Sequence, residues 1–420
     1  MNNNIFNISQ DTIEVDVAFF DENEEKKLVG YPTAAVMQEL VKSPIRIPTA
    51  EFLTYFLFHR KTTGSLGYQS FDDIGKKVQK AYIILYDLIS FNGKSICRSA
   101  DITNQLPEIS EHIGEAIGLS VINRVHGLTE ADWSSIPISR GRGATKSFDF
   151  QIASDGKTFV QVENKGSSVT LNTDNSLPAI KKHYKNIQDK KSSLNDLPAN
   201  KVDPNPASLR YGTITGIDAR QDGNVRCWLT DPPADLIDDD AKRFKLLRRM
   251  EYLQNLIGLI SPRSQLAAAL ATRVADMNMM NDPFELNSLG LRRGNGEPLF
   301  LDQNYYISKS HTIDEKSAGT VIPITDKHLM YFAIRTELFE LSTKQNFDAI
   351  IEFSAKSLTL EESVKCVFSP ARWKTVKHYF PESVVEKSEN TTGNRSVLLT
   401  GKLNYSPGGM VFGMLDIPNN

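Results

Sequence analysis

Apolar and polar residues alternate from Thr12 to Phe20, with Ile13, Val15 and Val17 set against Glu14 and Asp16. A period of two is the mark of a strand. Helical patterns follow at Thr33–Leu40 and Ala50–Phe58. A stronger one spans Ile74–Ile89, where Val78, Ala81, Tyr82, Leu85 and Ile89 recur at helical spacing. Pro107 suits the start of a further helix running to His126, with Ile109, Ile113, Ala116, Ile117 and Val121 as its apolar stripe.

Two strand-like segments come next, Ser147–Phe150 and Val160–Gly166. The intervening Ser154-Asp155-Gly156-Lys157 reads as the turn of a β-hairpin. Leu177–Lys191 then forms a helix begun by Pro178, and residues 192–208 are a polar, proline-dotted loop. Tyr211–Ile217 and Val225–Leu229 are strands. Pro232-Pro233 marks a boundary, and Asp238-Asp239-Asp240 sit at the N-terminus of a helix through Ile260, where the helix dipole favours anions. Ser261-Pro262 suit the N-cap and first position of a second helix through Met277. Farther on, Thr320–Ile324, Ala349–Phe353, Ser396–Leu399 and Gly409–Leu415 read as strands, Asp326–Glu340 as a helix and Glu386–Arg395 as a loop.

At roughly 150 residues per domain, a chain of 420 residues divides into a few regions. The expected ones are an N-terminal α+β domain over 1–104, an α/β core over 105–235, a helical hairpin over 236–298 and a C-terminal α+β domain over 299–420. The flanking regions are the expected place for self-association or a partner protein.

The hairpin carries the chemistry. Glu163 and Lys165 are two apart on one strand, so they project from the same face. The position of Asp149 depends on register. If Ser154-Asp155-Gly156 is a three-residue loop with Gly156 left-handed, Ala153 pairs with Lys157 and Asp149 lies opposite Gln161. Asp149, Glu163 and Lys165 then share a face, the acids being diagonal neighbours that one divalent cation can bridge. A two-residue loop reverses the parity and sends Asp149 to the other face. The bulged turn is expected, because Gly156 falls where a positive φ is needed.

Asp149 followed by Glu163-Asn164-Lys165 resembles the motif of the PD-(D/E)XK, or restriction-endonuclease-like, nuclease superfamily. Phe148 stands where that motif has proline. The resemblance covers roughly residues 105–232. It implies a three-layer α/β core around a mixed sheet, Mg²⁺ as cofactor with Mn²⁺ able to substitute, and hydrolysis of DNA phosphodiester bonds. Bacterial restriction or anti-phage defence would be the setting. Asp149 and Glu163 would hold the metal, with the Val162 carbonyl as an extra ligand, and Lys165 would orient the attacking water or stabilise the phosphorane. In that superfamily a helix before the hairpin often supplies another glutamate. Glu115 is the candidate, with Glu111 the runner-up. Two alternatives stand beside this reading, an RNA-directed nuclease and a catalytically silent nucleic-acid-binding or assembly protein.

A net charge of −3 is not the strongly basic footprint of a nucleic-acid coat, so phosphate contacts have to be local. Arg140, Arg142 and Lys146 in a glycine-rich loop are candidates, as are Lys181, Lys182 and Lys185, on a helix that also carries Lys190 and Lys191. His59 sits among aromatic residues and is read as structural. The three cysteines are scattered and suggest neither a disulfide framework nor a metal site. No apolar run approaches the roughly 18 residues of a membrane span, and the polar start is not a secretory signal. A cytoplasmic protein without membrane contact is expected.

Overall fold

The computed structural model describes residues 11–31, 33–59, 70, 73–80, 89–91, 95–98, 107–134, 136, 148, 151–198, 201, 203, 205–218, 224–230, 240–262, 264–279, 306–309, 316–387 and 393–418. The fold is mixed α/β and built on two large curled sheets. The chain divides into two compact units. One comprises residues 8–67 and 81–248, the other residues 1–7, 68–80 and 249–420. No helix among the described residues is long and apolar enough to cross a membrane.

The first unit is a six-stranded mixed sheet in the order β2-β1-β8-β7-β6-β5. Its strands are β1 (Thr12–Phe19), β2 (Ile45–Pro48), β5 (Gln151–Ser154), β6 (Phe159–Val169), β7 (Leu209–Asp218) and β8 (Val225–Thr230). A small separate ladder pairs β3 (Ile89–Phe91) with β4 (Ile96–Arg98). Ser134 adds an antiparallel bridge to Ile152 of β5. Because β1 runs parallel to β8 and pairs with β2, residues 12–48 complete the sheet of the expected core rather than forming a domain of their own. Parallel pairing of β6 with β7 requires a crossover, which a helix supplies.

Helices α1 (Glu22–Leu28), α2 (Ala34–Leu40), α3 (Thr49–Phe58), α4 (Pro107–His126) and α5 (Pro178–Asn195) accompany the sheet. Helices α2 to α5 fall close to the segments expected, whereas α1 stands where no helix was expected. The Ile74–Ile89 expectation needs correction, since residues 73–80 are helical but Ile89 opens β3. Residues 81–88 lie outside the described set.

The two faces of β6 and β7 are covered differently. Toward α4 the approach is so close that a Cβ on Gly118 would lie 2.2 Å from Asn164 Oδ1 and 2.3 Å from Thr213 Oγ1. A Cβ on Gly166 would lie 1.7 Å from the Ser110 carbonyl oxygen. Glycine at these points lets helix and sheet backbones meet. Toward α5, Ile180 and Ile187 pack with Val169, Ile214, Trp228 and Phe20. Each such fully buried apolar side chain contributes roughly 1.5–3 kcal/mol. Helix, sheet and helix make three layers here. Behind α4, all ten residues of α3 are buried.

The second unit contains helices α7 (Gln265–Met279), α8 (Thr336–Lys344), α9 (Phe347–Glu352) and α10 (Pro370–Val376), and it takes α6 (Ala241–Ile260) from Arg249 onward. Its strands are β9 (Tyr306–Lys309), β10 (Lys316–Thr325), β11 (His328–Arg335), β12 (Leu358–Phe368), β13 (Val385–Lys387), β14 (Arg395–Tyr405) and β15 (Met410–Asp416). Their order is β12-β9-β10-β11-β15-β14-β13, and a β12–β14 pairing closes six of them into an antiparallel barrel. Val321, Leu329, Tyr331, Val364, Cys366, Leu399, Leu403 and Val411 share its core.

Four expectations are corrected in this unit. Asp326–Glu340 is not one helix, because Lys327 N–H bonds Thr325 Oγ1 in a turn, after which β11 is bonded on both edges. Ala349–Phe353 is helical through most of its length, because the Asn346 side chain caps α9 at Ala349 N–H. Part of the expected Glu386–Arg395 loop is strand, since β13 pairs with β14. The second helix of the pair also starts later than expected, with Ser264 rather than Ser261 accepting from Ala267 N–H.

Candidate active site

Along β6 the residues facing α5 are Gln161, Glu163, Lys165, Ser167 and Val169, a period-two row. The expectation that Glu163 and Lys165 share a face is met, as Lys165 Nζ lies 2.7 Å from Glu163 Oε1. A third residue joins them. Lys190, projecting from α5, places its Nζ 2.5 Å from the same oxygen. Two residues past Lys165, Ser167 Oγ and His183 Nε2 of α5 stand 3.0 Å apart. The Glu163 side chain is fully buried, whereas those of Lys165 and Lys190 are 16% and 26% exposed. A hydrogen bond to a charged group contributes about 1.5–3 kcal/mol, so two ammonium groups fix this carboxylate firmly.

Lys190 appeared in the sequence only as one member of a charged helix. The signal that singles out this part of the helix is the apolar stripe. Ile180, Ile187, Lys191 and Leu194 are the buried residues of α5, so a lysine occupies an inward helical position beside Lys190.

The expected hairpin register is corrected. β5 and β6 pair Gln151 with Val162, Ile152 with Gln161, Ala153 with Val160 and Ser154 with Phe159. Ala153 therefore does not face Lys157, and Gln161 lies opposite Ile152 rather than Asp149. The loop of residues 155–158 is even, so the odd parity on which the shared face of Asp149 and Glu163 rested is not met. The reason is a longer turn organised by its own side chains. Asp155 Oδ1 accepts from the N–H groups of Lys157 and Thr158, each at 2.8 Å, and Ser154 Oγ accepts from Gly156 N–H at 3.0 Å. Gly156 does take the left-handed conformation, at φ +92°.

Asp155 also ties the turn to α4. It can only accept, so His126 Nδ1 donates to Asp155 Oδ2 at 3.1 Å, and His126 Nε2 meets the Tyr211 hydroxyl at 3.0 Å. Burial alone would raise the Asp155 carboxyl. Hydrogen bonds from His126, Thr158 and Lys157 outweigh it and hold the group well below the usual carboxylate range.

The remaining sequence candidates fall into four groups. Glu115 is buried and Glu111 half-buried on α4, the helix against the opposite face of β6 from Glu163. Val162 is buried between β5 and β7, so a metal at its carbonyl would have to share that oxygen with the sheet ladder. Lys181, Lys182 and Lys185 are exposed on α5. Asp149, Arg140, Arg142 and Lys146 lie outside the described residues.

The chemistry of the donor set suits a hard cation in one respect. Glu163 is an anionic oxygen donor, buried and already drawing two cations to one atom, and Mg²⁺ favours carboxylate oxygen. Cys97, Cys227 and Cys366 are free and buried, and burial pushes the Cys227 thiol up to about 12, far from a thiolate nucleophile. Compared with known proteins, the chain matches no family model, no curated protein and no solved structure.

Proposed function

We propose that this protein is a Mg²⁺-dependent endonuclease that hydrolyses DNA phosphodiester bonds at Glu163 and Lys165. The observation that supports the reading is the Glu163–Lys165 pair, 2.7 Å apart on one face of β6, in a helix, hairpin, helix, strand succession. Glu163 would hold the ion. Glu115, on the helix against the opposite face of β6, takes no part in this reading, nor does Asp149, whose place beside Glu163 needed the odd hairpin parity that the register lacks. When bound, the ion neutralises charge developing at phosphorus and acidifies a water. Lys165 is a compact, fixed positive charge that orients the attacking water and stabilises the phosphorane. Lys181, Lys182 and Lys185 on α5, with Arg140, Arg142 and Lys146, would follow the phosphate backbone.

A second reading has an observation of its own. Lys165 and Lys190 both close on Glu163 beneath α5, which also suits a structural ion cluster in a catalytically silent, nucleic-acid-binding protein. A plasmid-nicking assay with Mg²⁺ or EDTA separates the two. The nuclease reading expects metal-dependent nicking in the wild type that falls by roughly a hundredfold or more in Glu163→Ala and Lys165→Ala. Nicking retained in both variants would place the chemistry elsewhere. An RNA substrate run in parallel tests the choice of nucleic acid.

A further inference from the structure

Helices α1 and α5 are joined through one buried carboxylate. Glu24, fully buried on α1, accepts from the Tyr184 hydroxyl at 2.8 Å and from Gln188 Nε2 at 3.4 Å, both on α5. It also pairs with Lys27 at 3.2 Å. Beside this junction lies a cleft of about 560 Å³ lined by Lys27, Tyr31, Gln188, Lys191, Ser192 and Asn195. That volume lies within the range of small-molecule sites, roughly 300–1,000 Å³.

The lining has a definite chemistry. It brings two ammonium groups, one phenol ring, two carboxamides and a hydroxyl, and among the described residues it includes no carboxylate. Lys191 is only 5% exposed, so its charge is carried to a position where water screens it poorly. Glu24, set behind the wall, holds Lys27 and Gln188 in place, so an incoming ligand has fewer side chains to order.

We propose that this cleft binds a free nucleoside monophosphate. Lys27 and Lys191 take the phosphate, the Tyr31 ring packs on the base, and the Gln188 and Asn195 amides read its polar edge. The site is independent of cleavage at Glu163, although Lys190 and Lys191 are neighbours on α5.

Isothermal titration of the full chain with AMP, CMP, adenosine, inorganic phosphate and a short single-stranded oligonucleotide tests this. Saturable binding of AMP or CMP is expected, with adenosine and phosphate each about tenfold weaker or more. Lys191→Met should weaken the mononucleotide by about tenfold. Because Lys191 is buried, Lys27→Ala and Tyr31→Ala, at more accessible positions, provide variants less exposed to folding defects, and both should weaken it too. No mononucleotide binding by folded wild-type protein, or binding unchanged in Lys27→Ala and Tyr31→Ala, would overturn the proposal. So would lysine-dependent binding of the oligonucleotide without binding of the mononucleotides, which would make the cleft a strand contact.

Discussion

Lys190 on α5 and Glu163 on β6 meet with their charged ends 2.5 Å apart, on the oxygen that Lys165 also contacts at 2.7 Å. A divalent ion that takes this oxygen must therefore displace an ammonium group. The same carboxylate thus links the packing of α5 to the proposed chemistry.

That link is measurable as a coupling energy. Lys190→Met should cost about 1–3 kcal/mol, because a buried carboxylate loses a charged donor. Combined with Glu163→Gln, the two changes should cost at least about 1 kcal/mol less than the sum of the singles. Urea unfolding of the four proteins checks this, and strict additivity would show that the two groups do not interact in solution.

The layer between α4 and β6 should tolerate no added methyl group. Gly118→Ala and Gly166→Ala both push a Cβ into atoms under 3 Å away and should destabilise by roughly 1–3 kcal/mol or more. Gly258 in α6 has open space around a new Cβ, so Gly258→Ala should stabilise by about 0.5–1 kcal/mol. Thermal unfolding of the three variants checks this, and unchanged midpoints for Gly118→Ala and Gly166→Ala would contradict the close approach.

His59 should give stability an acid limb. Burial pulls its imidazole from 6.5 down to about 4, and the ring meets Tyr55 edge to face, 5.2 Å between centroids. The unfolded chain takes up the proton first. Stability is therefore full above about pH 6.5, falls as pH drops toward 4, and levels off after a loss of roughly 3 kcal/mol. His59→Phe should flatten the profile in that window. A variant with the same slope as the wild type would assign the limb to other groups.

Much of the fold was legible because it rests on local pattern. The helix from Pro107 to His126 has the bounds its proline and apolar stripe indicate, and the strand at Thr12 follows its alternation. Long-range information was not legible. His328–Arg335 is buried almost throughout, and a continuous apolar run has no period with which to distinguish strand from helix. Hairpin register depended on Asp155 and Ser154 bonding their own backbone, which lengthened the turn beyond the glycine signal. At the site, the shared face of Glu163 and Lys165 followed from parity alone. Lys190 came from a helix more than twenty residues away, so only tertiary packing brings it there.

The most direct measurement is anomalous diffraction from crystals soaked in Mn²⁺. The account predicts a peak about 2.0–2.2 Å from a Glu163 carboxylate oxygen, with Lys190 swung away from that oxygen. Lys165 and Lys190 both remaining on Glu163, with no metal beside it at saturating Mn²⁺, would contradict the proposed metal-dependent site.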